Sequence, residues 1–247
     1  MTDAELKIFG EKIVAYCDKF DVPLNFLFRI LEDQKVTPMI RGKAMEYNAY
    51  LFLKNLLNPN VWDVTKLNLN PQPGTDDEDI SITHLKTGIR LKAESKSAVR
   101  GSMTDGVRGR VLKDIPHFNV KCHRSRSNKS LATNDAYSAD SFDVLITNPQ
   151  NAIYKKGTVG EDFEMVGGQN LMEILATFYT VTSDKDLVKA CYADWRFCIP
   201  TDIAVNNFIP RAPLVRLKDD PIWKPLNSVE ARLNDLVQNR VRIARRG

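Results

Sequence analysis

The sequence predicts an α/β fold with a central mixed β-sheet flanked by helices, and three observations predict it. Apolar residues recur at helical spacing up to about residue 57 and alternate with polar ones beyond it. Two alternating runs, 79–83 and 89–94, are joined by Lys86-Thr87-Gly88, which reads as a hairpin connection. Helical spacing then returns near the C-terminus. With 247 residues, 43% of them apolar, the chain can bury an ordinary core as a single domain.

The elements follow in chain order. Leu6, Phe9, Ile13, Val14 and Tyr16 among Glu and Lys predict a helix over 3–19. Pro23 suits the first turn of a second, carrying Phe26, Leu27, Ile30 and Leu31. A third spans about 41–57, with Met45, Ala49, Phe52, Leu53, Leu56 and Leu57 on one side, and Asn58-Pro59-Asn60 ends it. Residues 61–64 and 67–69 look extended, and Pro71-Gln72-Pro73-Gly74 is a turn. Asp79-Ile80-Ser81-Ile82-Thr83 alternates as a half-buried strand does, and 89–94 returns beside it. Further strands are expected at 117–122, 142–146 and 197–199, and helices at 171–178 and 184–193. Ser228 is placed to cap a last helix whose apolar face is Val229, Leu233, Leu236 and Val237. The organisation expected is one domain over 1–247: a helical layer to 57, a core over 58–147, and the remaining sheet and helices over 148–247.

Several classes are set aside by composition. The four cysteines form no CxxC pair and match no zinc spacing, so free thiols in a reducing cytoplasm are expected. The N-terminus carries no secretory pattern, and no apolar run approaches the roughly 20 residues of a membrane span. There is no GxxxxGK[ST] loop, and Gly167-Gly168 reads as a turn, so no nucleotide cofactor is expected.

The chemistry-bearing residues sit at the ends of the hairpin. Counted back from its turn, Asp79 at the start of one strand lies beside Glu94-Ser95-Lys96 at the end of the next. Residues i and i+2 of a strand share a face, so Glu94 and Lys96 point the same way. Two converging carboxylates, with the Ser95 carbonyl as a third oxygen, suit Mg²⁺, which keeps most of its waters. Lys96 would hydrogen-bond an attacking water and offset developing negative charge. In a blander setting, Asp76-Asp77-Glu78-Asp79 is a solvated acidic turn and Glu94 with Lys96 a surface pair of little energetic weight.

Asp79 followed by Glu94-Ser95-Lys96 resembles the Asp…Glu-x-Lys core of the PD-(D/E)xK nuclease superfamily, which includes type II restriction endonucleases. That family often places a further Glu on a preceding helix, and Glu46, within Arg41-Gly42-Lys43-Ala44-Met45-Glu46-Tyr47, matches it. The resemblance covers roughly 41–147, and Glu78 stands where Pro often precedes the Asp. It implies a restriction-endonuclease-like core, with Asp79, Glu94, Lys96 and Glu46 catalytic and Asp79, Glu94 and Ser95 holding Mg²⁺.

A basic region follows. Between Lys96 and Lys129 nine basic residues face only Asp105 and Asp114, a larger excess than the whole-chain +4. Such a concentration beside a phosphate-cutting site suits a DNA backbone. The candidates are Arg100, Arg108, Arg110, Lys121, His123, Arg124, Arg126, Asn128 and Lys129. Arg124 to Asn128 is the densest part, and Arg and Asn are side chains that read base edges. Lys121, closing Asn119-Val120-Lys121, is a rival for the catalytic lysine, but Asn119 brings no charge to a cation. The expected activity is Mg²⁺-dependent, site-specific cleavage of double-stranded DNA by a homodimer. The alternatives are a repair or recombination nuclease reading DNA structure, or a DNA-binding protein with a decayed site.

Overall fold

The computed structural model describes residues 1–33, 35–67, 79–106, 115–123, 136–156, 163–165 and 169–244. The turn expected at 71–74 and the pair Gly167-Gly168 lie outside these. The chain forms two compact units, Met1–Ala44 and Met45–Gly247. All four cysteines are buried free thiols. Among the described residues no helix is long and apolar enough to cross a membrane.

The first unit begins with α1 (Asp3–Lys19). Thr2 and Glu5 close a capping box: the Thr2 hydroxyl accepts the Glu5 N–H at 3.3 Å and the Glu5 carboxylate accepts the Thr2 N–H at 2.7 Å. Where one helix is expected after Pro23, a 3-10 turn over Leu24–Phe26 leads into the short α2 (Leu27–Leu31). Helix α3 (Thr37–Leu56) spans the boundary between the units and starts four residues before the predicted position. Pro38 falls in its first turn, where a missing N–H costs nothing.

The second unit is an α/β structure around a mixed six-stranded sheet. Its strands are β1 (Trp62–Lys66), β2 (Ile80–His84), β3 (Arg90–Ser95), β5 (Val144–Thr147), β8 (Arg196–Cys198) and β10 (Lys224–Pro225), side by side in that order. Four of the five pairings are antiparallel; β3 and β5 run parallel and make the sheet mixed. Two smaller antiparallel pairs join β4 (His117–Asn119) to β9 (Leu214–Arg216) and β6 (Tyr154–Lys156) to β7 (Phe163–Met165). Helices α4 (Gln169–Tyr179), α5 (Asp184–Ala193), α6 (Pro200–Ile203) and α7 (Val229–Ala244) complete the unit.

Strand periodicity divides the interior in two. Val144 and Ile146 join Met45, Ala49 and Leu53 of α3, Ile80 and Ile82 of β2, and Val229, Leu233 and Val237 of α7. Leu145, pointing the other way, joins Phe118, Leu175, Leu187, Cys191 and Cys198. The sheet is thus covered on both faces. This corrects the half-buried reading of 79–83, because Ser81 is buried together with Ile80 and Ile82. The Ser228 cap is also corrected: its hydroxyl donates to the Pro225 carbonyl at 2.8 Å, within a 3-10 turn leading into α7. The strand expected at 117–122 ends at Asn119, after which Val120 makes an isolated bridge to Ala98.

The β2–β3 hairpin turns where expected. The His84 carbonyl accepts the Gly88 N–H at 2.8 Å, and Gly88 adopts φ +68°, a conformation natural to glycine. One consequence of this packing is a contrast within α3. Leu53→Ala, at a fully buried position, should cost about 2–5 kcal/mol. Leu51→Ala, on the exposed side, should change stability by under about 0.5 kcal/mol. Urea unfolding of the two variants measures the difference.

Candidate active site

The register of the hairpin sets the site. Ile80 pairs with Ala93, which puts Asp79, one residue ahead of β2, opposite Glu94. Asp79 Oδ2 accepts the Ser95 N–H at 3.1 Å, so the carboxylate reaches across to the neighbouring strand. Its carbonyl accepts the Leu67 N–H and the Lys66 ammonium, each at 3.1 Å. Asp79 is therefore fixed from β1 on one side and β3 on the other, although it belongs to no strand.

Glu94 and Lys96 share a face and form an ion pair, with the Glu94 side chain 2% exposed and that of Lys96 18%. The pair is not a loose surface contact, which removes the blander reading of these two residues. Lys96 also donates to the Tyr137 hydroxyl at 3.0 Å, its ammonium 4.8 Å from the ring centroid. Its backbone extends the parallel pairing beyond β3: its N–H donates to the Ile146 carbonyl at 2.9 Å, and its carbonyl accepts the Thr147 hydroxyl at 2.7 Å. Lys96 is thus held at both ends.

Glu46, on α3, pairs with Lys66 at 3.1 Å, and these side chains are 14% and 7% exposed. The Ser97 hydroxyl meets the Met45 sulfur at 3.3 Å, which seats this part of α3 beside the residues that follow Lys96. Burial chiefly, and next the Glu46 charge, hold the Asp79 carboxyl above its usual 3.8; the Ser95 N–H, Lys96 and Lys66 oppose the shift. For Lys96, burial would lower the pKa, but the Glu94 carboxylate and the Tyr137 oxygen outweigh it and raise it. Cys122 is buried in the electrostatic reach of this pair, and burial pushes its thiol up to about 12.

Glu46 is thus paired with Lys66 and Glu94 with Lys96, while Asp79 lies in the electrostatic reach of Glu46, Lys66 and Lys96. Asp79 makes no side-chain ion pair among the described residues and carries the burial strain of the group. A divalent cation beside Asp79 would offset a buried carboxylate that has no ion pair among the described residues, so the oxygen donors of Asp79 and the adjoining Glu94 fit a sparsely ligated, oxygen-preferring metal. Among the described residues, no three His, Cys, Asp or Glu side chains converge as a ready-made metal cage. The Ser95 hydroxyl is buried and has no partner among the described residues.

Compared with protein-family models, curated proteins and solved structures, the chain gives no match. The reading of the site rests on its own geometry.

Of the expected DNA-contacting residues, Arg108, Arg110, Arg124, Arg126, Asn128 and Lys129 lie outside the described residues. Arg100 and His123 are partly exposed and Lys121 is exposed. The Lys121 N–H donates to the Ser97 carbonyl at 2.9 Å, so this lysine runs alongside the segment leaving Lys96, with its side chain in solvent. Sequence reasoning missed Lys66 and Tyr137, which hold Asp79 and Lys96. Neither carries a local signal, since one is an ordinary strand-end lysine and the other lies 41 residues beyond its partner.

The raised pKa of Asp79 has a definite sign. The folded chain holds this proton more tightly than the unfolded chain, so stability falls as pH rises from 3.8 through the raised native value. Asp79→Asn keeps an oxygen for the Ser95 N–H and removes the buried charge. In EDTA at pH 7 its urea midpoint should exceed that of the wild type, and the gain should vanish below pH 3.8. An equal or lower midpoint at pH 7 would contradict the burial strain assigned to Asp79.

Proposed function

We propose that this chain is a Mg²⁺-dependent endonuclease that hydrolyses phosphodiester bonds of double-stranded DNA. In the finer reading it is a cytoplasmic type II restriction enzyme with a restriction-endonuclease-like core, cutting at a short site as a homodimer. The observation that carries the proposal is the meeting of Asp79, Glu94 and Lys96 at adjoining strand ends, with Glu46 acting electrically on Asp79. Supporting it is the strand β5, parallel to the motif strand β3 where a later core strand is expected.

Each residue has a role that its surroundings support. Asp79 and Glu94 would hold the metal. Bound Mg²⁺ supplies a water of lowered pKa and charge stabilisation at the leaving oxygen. Lys96, kept as an ammonium by Glu94 and Tyr137, donates hydrogen bonds and charge to the reacting phosphate or to the attacking water; it does not act as the base. Tyr137 keeps that ammonium on the side of Glu94. Arg100 and Lys121 extend positive charge from the site along the expected path of the phosphates.

A second reading, a DNA-binding protein that does not cut, is favoured by the internal pairing of Lys96 and by the lack of a three-ligand group among the described residues. Digestion of a long DNA with Mg²⁺ or with EDTA, followed by sequencing of fragment ends, separates the readings. Discrete ends mean a site-specific enzyme, scattered ends a structure-reading nuclease, and intact DNA the non-cutting protein. Sedimentation of the free chain and its DNA complex tests the dimer.

The choice of lysine is tested separately. Glu94→Gln and Lys96→Ala should each lower single-turnover cleavage by about 10²–10³-fold or more while keeping DNA binding in Ca²⁺. Lys121→Ala should weaken binding and still cut at high enzyme concentration. Near-normal cutting by Lys96→Ala together with none by Lys121→Ala would move the active site to the second lysine.

A further inference from the structure

Lys66 has all three of its ammonium donors matched among the described residues. It ends β1, where its backbone pairs with Ile80, next to Asp79. An ammonium has three donors. Here they reach Glu46 Oε2 at 3.1 Å, the Asp79 carbonyl at 3.1 Å and the Leu67 carbonyl at 3.2 Å, over the face of Tyr47 at 5.5 Å. With its side chain 7% exposed and three acceptors in place, Lys66 is not arranged to bind a substrate phosphate. It joins the helix carboxylate, the end of β1 and the main chain of Asp79.

We propose that Lys66 is the positioning residue of the site, holding Asp79 in line with Glu94 through the Asp79 carbonyl. The inference rests on the nuclease reading for its purpose, though not for its geometry. Asp79 precedes its strand, so the β2 ladder alone does not fix it; the fixing bonds come from Leu67, Lys66 and Ser95. Lys66 is the one side chain among the described residues that holds the Asp79 backbone. As a bare charge it would repel a divalent cation, and as a clamp it would favour one by presenting the carboxylate correctly. The two roles predict opposite signs.

The test uses the full chain in a Glu46→Gln background, with and without Lys66→Met. The second substitution makes the cluster more negative by one charge. A purely electrostatic lysine would then let Mn²⁺ bind more tightly. The clamp requires weaker Mn²⁺ binding, by about 10-fold or more, read by water-proton relaxation. Independently of metal and cleavage, amide exchange should speed up at Ser95 and Leu67, whose N–H groups bond to Asp79, and hold at Ile82 and Leu91 in the middle of the hairpin. Unchanged exchange at Ser95 and Leu67 overturns the inference, as does tighter Mn²⁺ binding. If the unsubstituted chain binds no Mn²⁺, the nuclease reading fails, and the exchange measurement alone decides the role of Lys66. Should Lys66→Met not fold, Lys66→Arg keeps the charge with a planar head that cannot meet the same three acceptors. It should give the same local loss of protection, and unaltered protection there overturns the inference equally.

Discussion

The site depends on the register between β2 and β3. Ile80 opposite Ala93 is the pairing that puts Asp79 across from Glu94 and lets the Asp79 carboxylate take the Ser95 N–H. A slip of one residue would turn every side chain of the strand over. Ile80 and Ile82 would leave the apolar layer under α3 and α7, and Ser81 would enter it. The apolar layer thus enforces the register, and the register delivers the two carboxylates. Stability and site geometry share one cause.

Collecting charge in a buried place is expensive, and the chain offsets it by pairing. Glu94 is matched by Lys96, and Glu46 by Lys66. Each pair stands between a carboxylate and the low-dielectric interior, and breaking one strands a charge at about 3–5 kcal/mol. Asp79 is treated differently, receiving an amide donor in place of a cation. The same economy appears away from the site. Buried Arg196 meets Asp194 at 2.9 Å and the carbonyls of Arg216 and Leu217, with Tyr179 bonded to the same aspartate. No charge pattern in the sequence marks Arg196 as buried.

What the sequence made legible is local. The capped helix at 3–19, the hairpin with its glycine, and the helices at 169–179 and 184–193 follow from periodicity and turn chemistry over a dozen residues. The placing of Asp79 opposite Glu94 was legible for the same reason, since the hairpin is self-contained. What was not legible is what other segments bring. Ser81 looked like a solvent-facing residue because nothing nearby in the chain says that a second layer covers that face. Tyr137 and Lys66 reach the site only through tertiary packing. The early start of α3 was masked by Pro38, a residue that reads as a breaker except in a first turn. Six of the nine basic residues between Lys96 and Lys129 lie outside the described residues, so their expected contacts with DNA stand on composition alone.

The parallel pairing of β3 with β5 bears on the order in which the site assembles. Thr147 and Lys96, which it joins, are 51 residues apart, whereas the hairpin closes between Ile80 and Ala93. Loop-closure entropy grows as the logarithm of length, so the longer closure costs about 1 kcal/mol more. Contacts distant in sequence form at the expense of that search. The pairing that sets Asp79 opposite Glu94 therefore needs only the easier closure. The bonds that order Lys96, with Tyr137, Ile146 and Thr147, need the harder one.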